Sequence, residues 1–374
     1  MNRILVTAAA ATLLAGSASA GGIDRTNQPT SWIFNEGTYV ELSFGAAFPS
    51  VSGADVAAFG SGPSGNVAGS FLLPSFSLTT ELTDKLTVGV QYEQPFGADI
   101  SYGLTSVALG GTTARAETHA LSLLARYKFT ENFSAHALLR GQTASGVINL
   151  NGLAYGGPPP AGVSGYGVTL GNDTGYGYGL GAAYEIPEIA LRLAVTYYSA
   201  ITHNMATSET GLAPVALTST TAVQTPQSLN IDFQTGIAED TLLFAGFRWA
   251  DWSNFRINPV NFVGATGEGL VDLPDSYRYS LGIGRQFSDT WAGSFSVAYE
   301  PSGDPLVSPL APTNGQYGAT IAAVYTRDNY SITTGVNYTL LGDAQPETGT
   351  PDVARATFTG NSALSVGVKL GFQF

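Results

Sequence analysis

The chain contains no cysteine, which excludes a disulfide framework and any thiol chemistry. Charge is scarce as well. Asp, Glu, Lys and Arg make up 11% of the residues, against about 25% in ordinary soluble domains. The 15 Lys and Arg face 28 Asp and Glu; without a basic patch to neutralise phosphates, nucleic acid is not a partner. There are three histidines, and no His/carboxylate cluster has ligand spacing, so neither a metal nor another cofactor is expected. The Gly-rich stretches 171–181 and 264–269 lack the Lys and the strand–helix context of phosphate loops. After the N-terminus, no segment approaches the roughly 18–20 consecutive apolar residues of a spanning helix.

What is present begins with an export signal. Met1-Asn2-Arg3 is a short basic start, Ile4 to Leu14 is almost unbroken apolar, and Ala18-Ser19-Ala20 is a small-x-small cleavage pattern. Residues 1–20 are expected to be a signal peptide, with the mature chain starting at Gly21.

Beyond it the informative signal is period two. From Tyr330 to Leu340, Tyr330, Ile332, Thr334, Val336, Tyr338 and Leu340 take one parity and Ser331, Thr333, Gly335, Asn337 and Thr339 the other. Similar runs cover Lys85 to Glu93, Gly175 to Ile186, Gln227 to Ile237 and the last segment to Phe374. One face is apolar and the other small or polar, as a strand between lipid and a lumen requires. Tight polar connections (81–84, 130–132, 186–188, 238–240, 288–289, 327–329) alternate with long Gly/Pro/Ser/Thr-rich stretches (49–66, 103–114, 145–172, 202–225, 253–272, 301–314, 342–358). The expectation is an all-β transmembrane antiparallel barrel of about 14 strands over 38–374, with short periplasmic turns, long outer loops and both termini on the periplasmic side. The alternating end Leu370-Gly371-Phe372-Gln373-Phe374 looks like the terminal signature read by the barrel assembly machinery.

Several stretches then resemble one family. Thr225-Pro226-Gln227-Ser228 is followed by Leu243-Phe244-Ala245-Gly246-Phe247-Arg248-Trp249-Ala250-Asp251-Trp252-Ser253-Asn254-Phe255, a strand closing in a W-x-x-W-S-x-F-type sequence. With Tyr92-Glu93-Gln94-Pro95-Phe96-Gly97-Ala98 and Asp275-Ser276-Tyr277-Arg278-Tyr279-Ser280-Leu281-Gly282, this is similar to the FadL/TodX outer-membrane transporters of hydrophobic compounds. The resemblance implies a localisation in the outer membrane, contact with its lipid, and a hydrophobic small-molecule ligand, long-chain fatty acids foremost. It further implies capture by outer loops, binding behind an N-terminal hatch and lateral exit at a kinked third strand. In one respect the chain departs from the pattern. Its N-terminal plug segment, Gly21 to Gly37, is short, and Phe34-Asn35-Glu36-Gly37 stands where an Asn-Pro-Ala motif is frequent. An extended chain still reaches about 3.3 Å per residue, enough to thread a lumen.

Candidate site residues follow. Pro95 lacks a ladder donor and Gly97 a side chain, so they mark either a wall defect for lateral opening or the end of a strand. Parity turns Arg126, Lys128, His136, Arg140, Arg192, Asp232, Arg248 and Arg278 inward. They form a lumen ion-pair network with Glu93, Glu185 or Glu300, or some of them hold a ligand carboxylate; Arg140 and Arg192 are the head-group candidates. Phe34, Leu242 and Phe244 are the apolar candidates for substrate contact. Leu150, Leu153, Val163 and Leu170 on one long loop, and Leu212, Val215 and Leu217 on another, either capture ligand or cap the barrel. Two rival functions remain: a general diffusion porin, and a lipid-modifying enzyme. The second needs a nucleophile with a positioned base, and only Ser134 with His136 is available, since His119 points outward and His203 falls in a loop; no catalytic residue is assigned.

Overall fold

Where the sequence alternates, the computed structural model forms strand. It describes residues 23–349 and 351–374; the expected signal peptide and its cleavage point lie outside the described residues. Fourteen antiparallel strands close into one barrel. They are β1 (Tyr39–Ser50), β2 (Phe71–Thr83), β3 (Leu86–Glu93 and Gly97–Ser101), β4 (Thr113–Lys128), β5 (Phe133–Leu150), β6 (Tyr166–Ile186) and β7 (Leu191–Tyr198 and Ile201–Thr210). The second half comprises β8 (Leu217–Thr225 and Ser228–Ala238), β9 (Thr241–Ala250), β10 (Ser276–Gln286), β11 (Trp291–Glu300), β12 (Gln316–Arg327), β13 (Tyr330–Leu341) and β14 (Asn361–Gln373). The wall closes along β1 and β14, from Tyr39 opposite Gln373 to Ser50 opposite Ser362.

The alternation sorts side chains as lipid and lumen demand. On β13, Val336, Tyr338 and Leu340 point out while Ser331, Thr333, Asn337 and Thr339 are buried inside. On β6, Tyr176, Tyr178, Leu180 and Tyr184 point out, and the inward positions 175, 177, 179 and 181 are glycines. Space explains them: a Cβ at Gly181 would fall 2.2 Å from Nε2 of His136 and 2.3 Å from the Val195 carbonyl. Because a closed sheet satisfies its backbone groups strand to strand, unboiled protein is expected to migrate differently from boiled protein on a denaturing gel. Identical migration, or helix-dominated circular dichroism, would contradict the barrel.

Two expected loops are partly wall, 145–172 at both ends and 202–225 over most of its length. β5 runs on to Leu150 and β6 begins at Tyr166, while Ile201–Thr210 and Leu217–Thr225 occupy most of 202–225. His203, expected in a loop, is therefore on β7, fully buried in the lumen and bonded through Nε2 to Gln142 Oε1 at 3.1 Å. The physical reason is that the outward residues there, Thr202, Asn204, Thr218, Thr220 and Gln224, are polar. Without an apolar outer face, the alternation loses the contrast that marks a lipid-facing strand. The loop 251–275 carries a short helix, α1 (Val260–Thr266).

Candidate functional site: a filled lumen and a gap in the wall

Residues 23–37 lie inside the barrel and are held from several sides. Asp24 pairs with Arg248 of β9 (Oδ2 to Nη2 2.6 Å, to Nε 2.9 Å), and both side chains are buried. Asn230 of β8 donates to the carbonyls of Asn27 and Gln28, and Ser228 to the Gln28 side chain. These bonds hold Asn27 and Gln28 at positive φ, 55° and 47°, a conformation costly for non-glycine residues and kept only where the surroundings fix it. Thr26 donates to Glu93 of β3 at 2.8 Å, and Thr30 to Asp232 of β8. Lower down, Trp32, Ile33 and Phe34 form a 3-10 turn packed on Leu124, Leu138, Ala183, Ala194 and Tyr198. The Phe34 ring lies between two guanidiniums, Arg192 at 4.4 Å and Arg126 at 4.6 Å, each a cation–π contact.

The segment begins at a break in the wall. β2 and β3 pair only as far as Phe76 opposite Tyr92; beyond that, Phe71–Ser75 pair with β1 alone. On its other edge β3 stays joined to β4, but three residues, Gln94 to Phe96, stand against His119 and Thr118. Pro95 has no N–H for a ladder, and the Thr118 hydroxyl substitutes for backbone, bonding both N–H and C=O of Phe96 at 2.9 and 2.7 Å. β3 then resumes at Gly97, so the strand is interrupted rather than ended. The edge β2 leaves vacant is met by two other stretches. Arg25 donates its N–H to the Pro95 carbonyl and Gly97 donates to the Ile23 carbonyl, both at 2.8 Å; higher up, Gly69 donates to Asp99 and Ser101 to Val67, also at 2.8 Å. A cavity of about 90 Å³ lies in this gap, lined among others by Ile23, Arg25, Phe71, Gly97, Ala98 and Leu310.

Toward the loop end the lumen is apolar. A cavity of about 70 Å³ is lined by Ala114, Ala144, Ile148, Leu170, Met205, Val223, Phe255, Ile257, Val271, Leu273 and Leu310. It shares Ile23, Ala98, Leu310 and Ala311 with the cavity in the gap, so the two adjoin. The W-x-x-W-S-x-F-type sequence builds this chamber. Asp251 and Asp275 hold the turn by bonding Gln227, Ser253, Asn254 and the Trp249 indole N–H. Trp252 then stacks edge-on to Phe96 at 5.4 Å and to Phe255 at 5.5 Å. Toward the turn end the lumen is polar instead. Cavities of about 110 Å³ and 70 Å³ flank the N-terminal segment; Arg192, Arg248, Arg278, Asn230 and Asp232 line the first, and Glu41, Glu93, Gln91 and Lys369 the second.

The site residues expected from sequence are distributed over this frame. Arg140 pairs with Glu93 and donates to Ser122; Arg126 pairs with Glu185, and Lys369 with Glu41 at 2.9 Å. Most inward cations thus belong to a network. Arg192 donates to Gln234 at 2.9 Å and lines the polar cavity, as does Phe244. Leu242 is fully buried beside Ala190, with Phe244 against them. The structure brings none of the five expected contact residues to the apolar chamber. Of the expected loop residues, Leu150 and Leu170 are strand residues buried in the chamber region, whereas Leu153 (64% exposed) and Val215 (68%) sit on the loop surface. Ser134 accepts a bond from Arg126, and His136 bonds Thr196; serine and histidine are not paired as nucleophile and base. Apart from Leu170, which it placed on a loop, sequence reasoning missed the chamber residues, and it missed Arg25. The available signal was that inward positions change from polar to apolar along a strand, as from Arg140 and Gln142 to Ala144 and Ile148 on β5.

Comparison with known proteins gives the same architecture. No curated protein matches the chain in sequence. A FadL homologue from Pseudomonas aeruginosa is similar in structure, with a TM-score of 0.73 and 17% identity over 97% of this chain and 98% of that one. The Pseudomonas putida toluene transporter TodX follows at 0.65, with 13% identity over 97% and 98%, and the Ralstonia pickettii toluene transporter TbuX at 0.64, with 14% over 96% and 97%. At such identities these likenesses speak for the fold. The family model described as outer membrane protein transport protein (OMPP1/FadL/TodX) matches residues 13–374, and the chain therefore belongs to this family of outer-membrane β-barrel transporters of hydrophobic compounds.

Proposed function

We propose that the protein admits amphipathic hydrophobic molecules, long-chain fatty acids foremost, and releases them sideways into the bilayer through the gap between β2 and β3. The tight turns and both termini face the periplasm, the loops face outward, and residues 1–20 serve export. Exposed Leu153 and Val215 give the ligand a first apolar foothold. The chamber then receives the alkyl chain, where each CH₂ kept from water is worth about 0.8 kcal/mol. The observation that carries this reading is the shared lining of chamber and gap: Ile23, Ala98, Leu310 and Ala311 border both. An axial route would instead pass the alkyl chain through the polar half, between Arg192, Arg248 and Asp232, in place of water that those groups need. The same reasoning disfavours a general porin, since the N-terminal segment occupies the axis. A small neutral aromatic would also fit an almost wholly apolar chamber, and is the alternative cargo.

Filling the chamber tests the reading. Ala144→Trp places an indole among Ile148, Leu170 and Met205. It is expected to lower laurate uptake by whole cells about tenfold, the factor equivalent to about 1.4 kcal/mol of lost binding, while heat-modifiable migration persists. Uptake at the unmodified rate would remove the chamber from the path.

A further inference from the structure

We infer that Arg25 is an anion-binding residue in the wall gap, holding the carboxylate of a ligand whose alkyl chain occupies the apolar chamber. The inference rests on the lateral route proposed above and names the ligand chemistry which that route selects. Arg25 is 9% exposed, and among the described residues no acid stands within ion-pairing distance of its guanidinium. Arg126, Arg140, Arg248 and Lys369 each have one. Its contact is with the Phe71 ring, 4.4 Å below the guanidinium carbon. That ring covers one face of the guanidinium and not its edge, and a guanidinium takes a carboxylate edge-on, in its plane. Nε is buried with no partner, and a buried donor left unmet is costly. Arg25 lines both the gap and the polar pocket beneath it, so a ligand in either can reach it.

Position gives this cation its meaning. Gly97 lies directly against it, since a Cβ there would come 2.4 Å from the guanidinium carbon; glycine at this point makes room for the arginine. Ile23, two residues earlier, lines the chamber and the gap alike. A molecule with its chain among Ile148, Met205 and Leu310 and its head at Arg25 spans the two cavities. The anion suited to the site is a monocarboxylate. One guanidinium supplies few donors and one positive charge, and the charges acting on it include the acids Asp99 and Glu117 as well as the cation Arg115. The site therefore balances a single negative charge at most, and a dianionic phosphate is disfavoured more than a monocarboxylate. A bound carboxylate also completes the donors that the folded chain leaves unmet.

The test compares two probes of equal chain length, laurate and dodecanol, for uptake by cells whose only transporter of this kind is the protein or a variant. Arg25→Met is expected to lower laurate uptake about tenfold or more, the range of a lost charge-assisted hydrogen bond, and to leave dodecanol within about twofold of the unmodified protein. Arg25→Lys, which keeps the charge and loses the fork, is expected to fall between. Equal loss of both probes in Arg25→Met and Arg25→Lys would reduce Arg25 to a structural residue and overturn the inference, as would unchanged laurate uptake. If the unmodified protein takes up neither probe, the transport reading itself fails, and the role of Arg25 with it. Heat-modifiable migration of each variant verifies that the barrel has formed.

Discussion

Deleting residues 22–34 is expected to turn a closed barrel into an open pore, seen as discrete, high-conductance openings in planar bilayers where the intact chain gives only baseline. The segment fills the axis between β3 on one side and β8 and β9 on the other, with cavities of only about 110 and 70 Å³ beside it. Its anchors are polar: Asp24 to Arg248, Thr30 to Asp232, Thr26 to Glu93. A buried arginine that loses its only acid is strongly destabilising when the site stays dry. Here the deletion admits water, so Arg248, Arg126 and Arg192 become solvated and the wall, held by its own ladders, persists. Retained heat-modifiable migration together with unchanged conductance would show that the segment does not close the lumen.

The fold was legible in the sequence to the extent that lipid imposes a pattern. Tyr338 and Leu340 against Asn337 and Thr339, or Tyr176 and Tyr178 against Gly175 and Gly177, read as wall because one face meets hydrocarbon. Leu217–Thr225 did not, because its outward Thr218, Thr220 and Gln224 are as polar as a loop. Pro95 and Gly97 were legible as a defect, since a missing donor and a missing side chain are local facts of the chain. What occupies that defect was not legible. Arg25 and Phe71 are 46 positions apart and meet only when the N-terminal segment folds back through the lumen. The choice of Arg140 and Arg192 as head-group contacts followed from parity, which places a side chain inside but does not say at what height or beside which acid. Arg140 meets Glu93 because β3 and β5 both pack on β4, a relation no single strand reveals.

Lateral exit is tested most directly at the gap itself. Gly97→Val puts a branched side chain where the Arg25 guanidinium now lies, and Ala98→Trp fills the junction of chamber and gap, a residue shared by both cavities. Neither position contributes a side-chain bond to the wall, and the Arg25 guanidinium can swing aside, so both variants are expected to retain heat-modifiable migration. Displacing two methylenes' worth of contact from an alkyl chain in the gap corresponds to about 1.6 kcal/mol, or more than tenfold. The measurement is uptake of laurate, dodecanol and a small polar solute by cells carrying each variant at equal surface level. Both hydrophobic probes are expected to slow together by about tenfold or more, unlike in Arg25→Met, where laurate alone slows, and the polar solute is expected to be unaffected. Laurate and dodecanol entering at the unmodified rate in Gly97→Val and Ala98→Trp would contradict passage through the wall and leave the axis as the path.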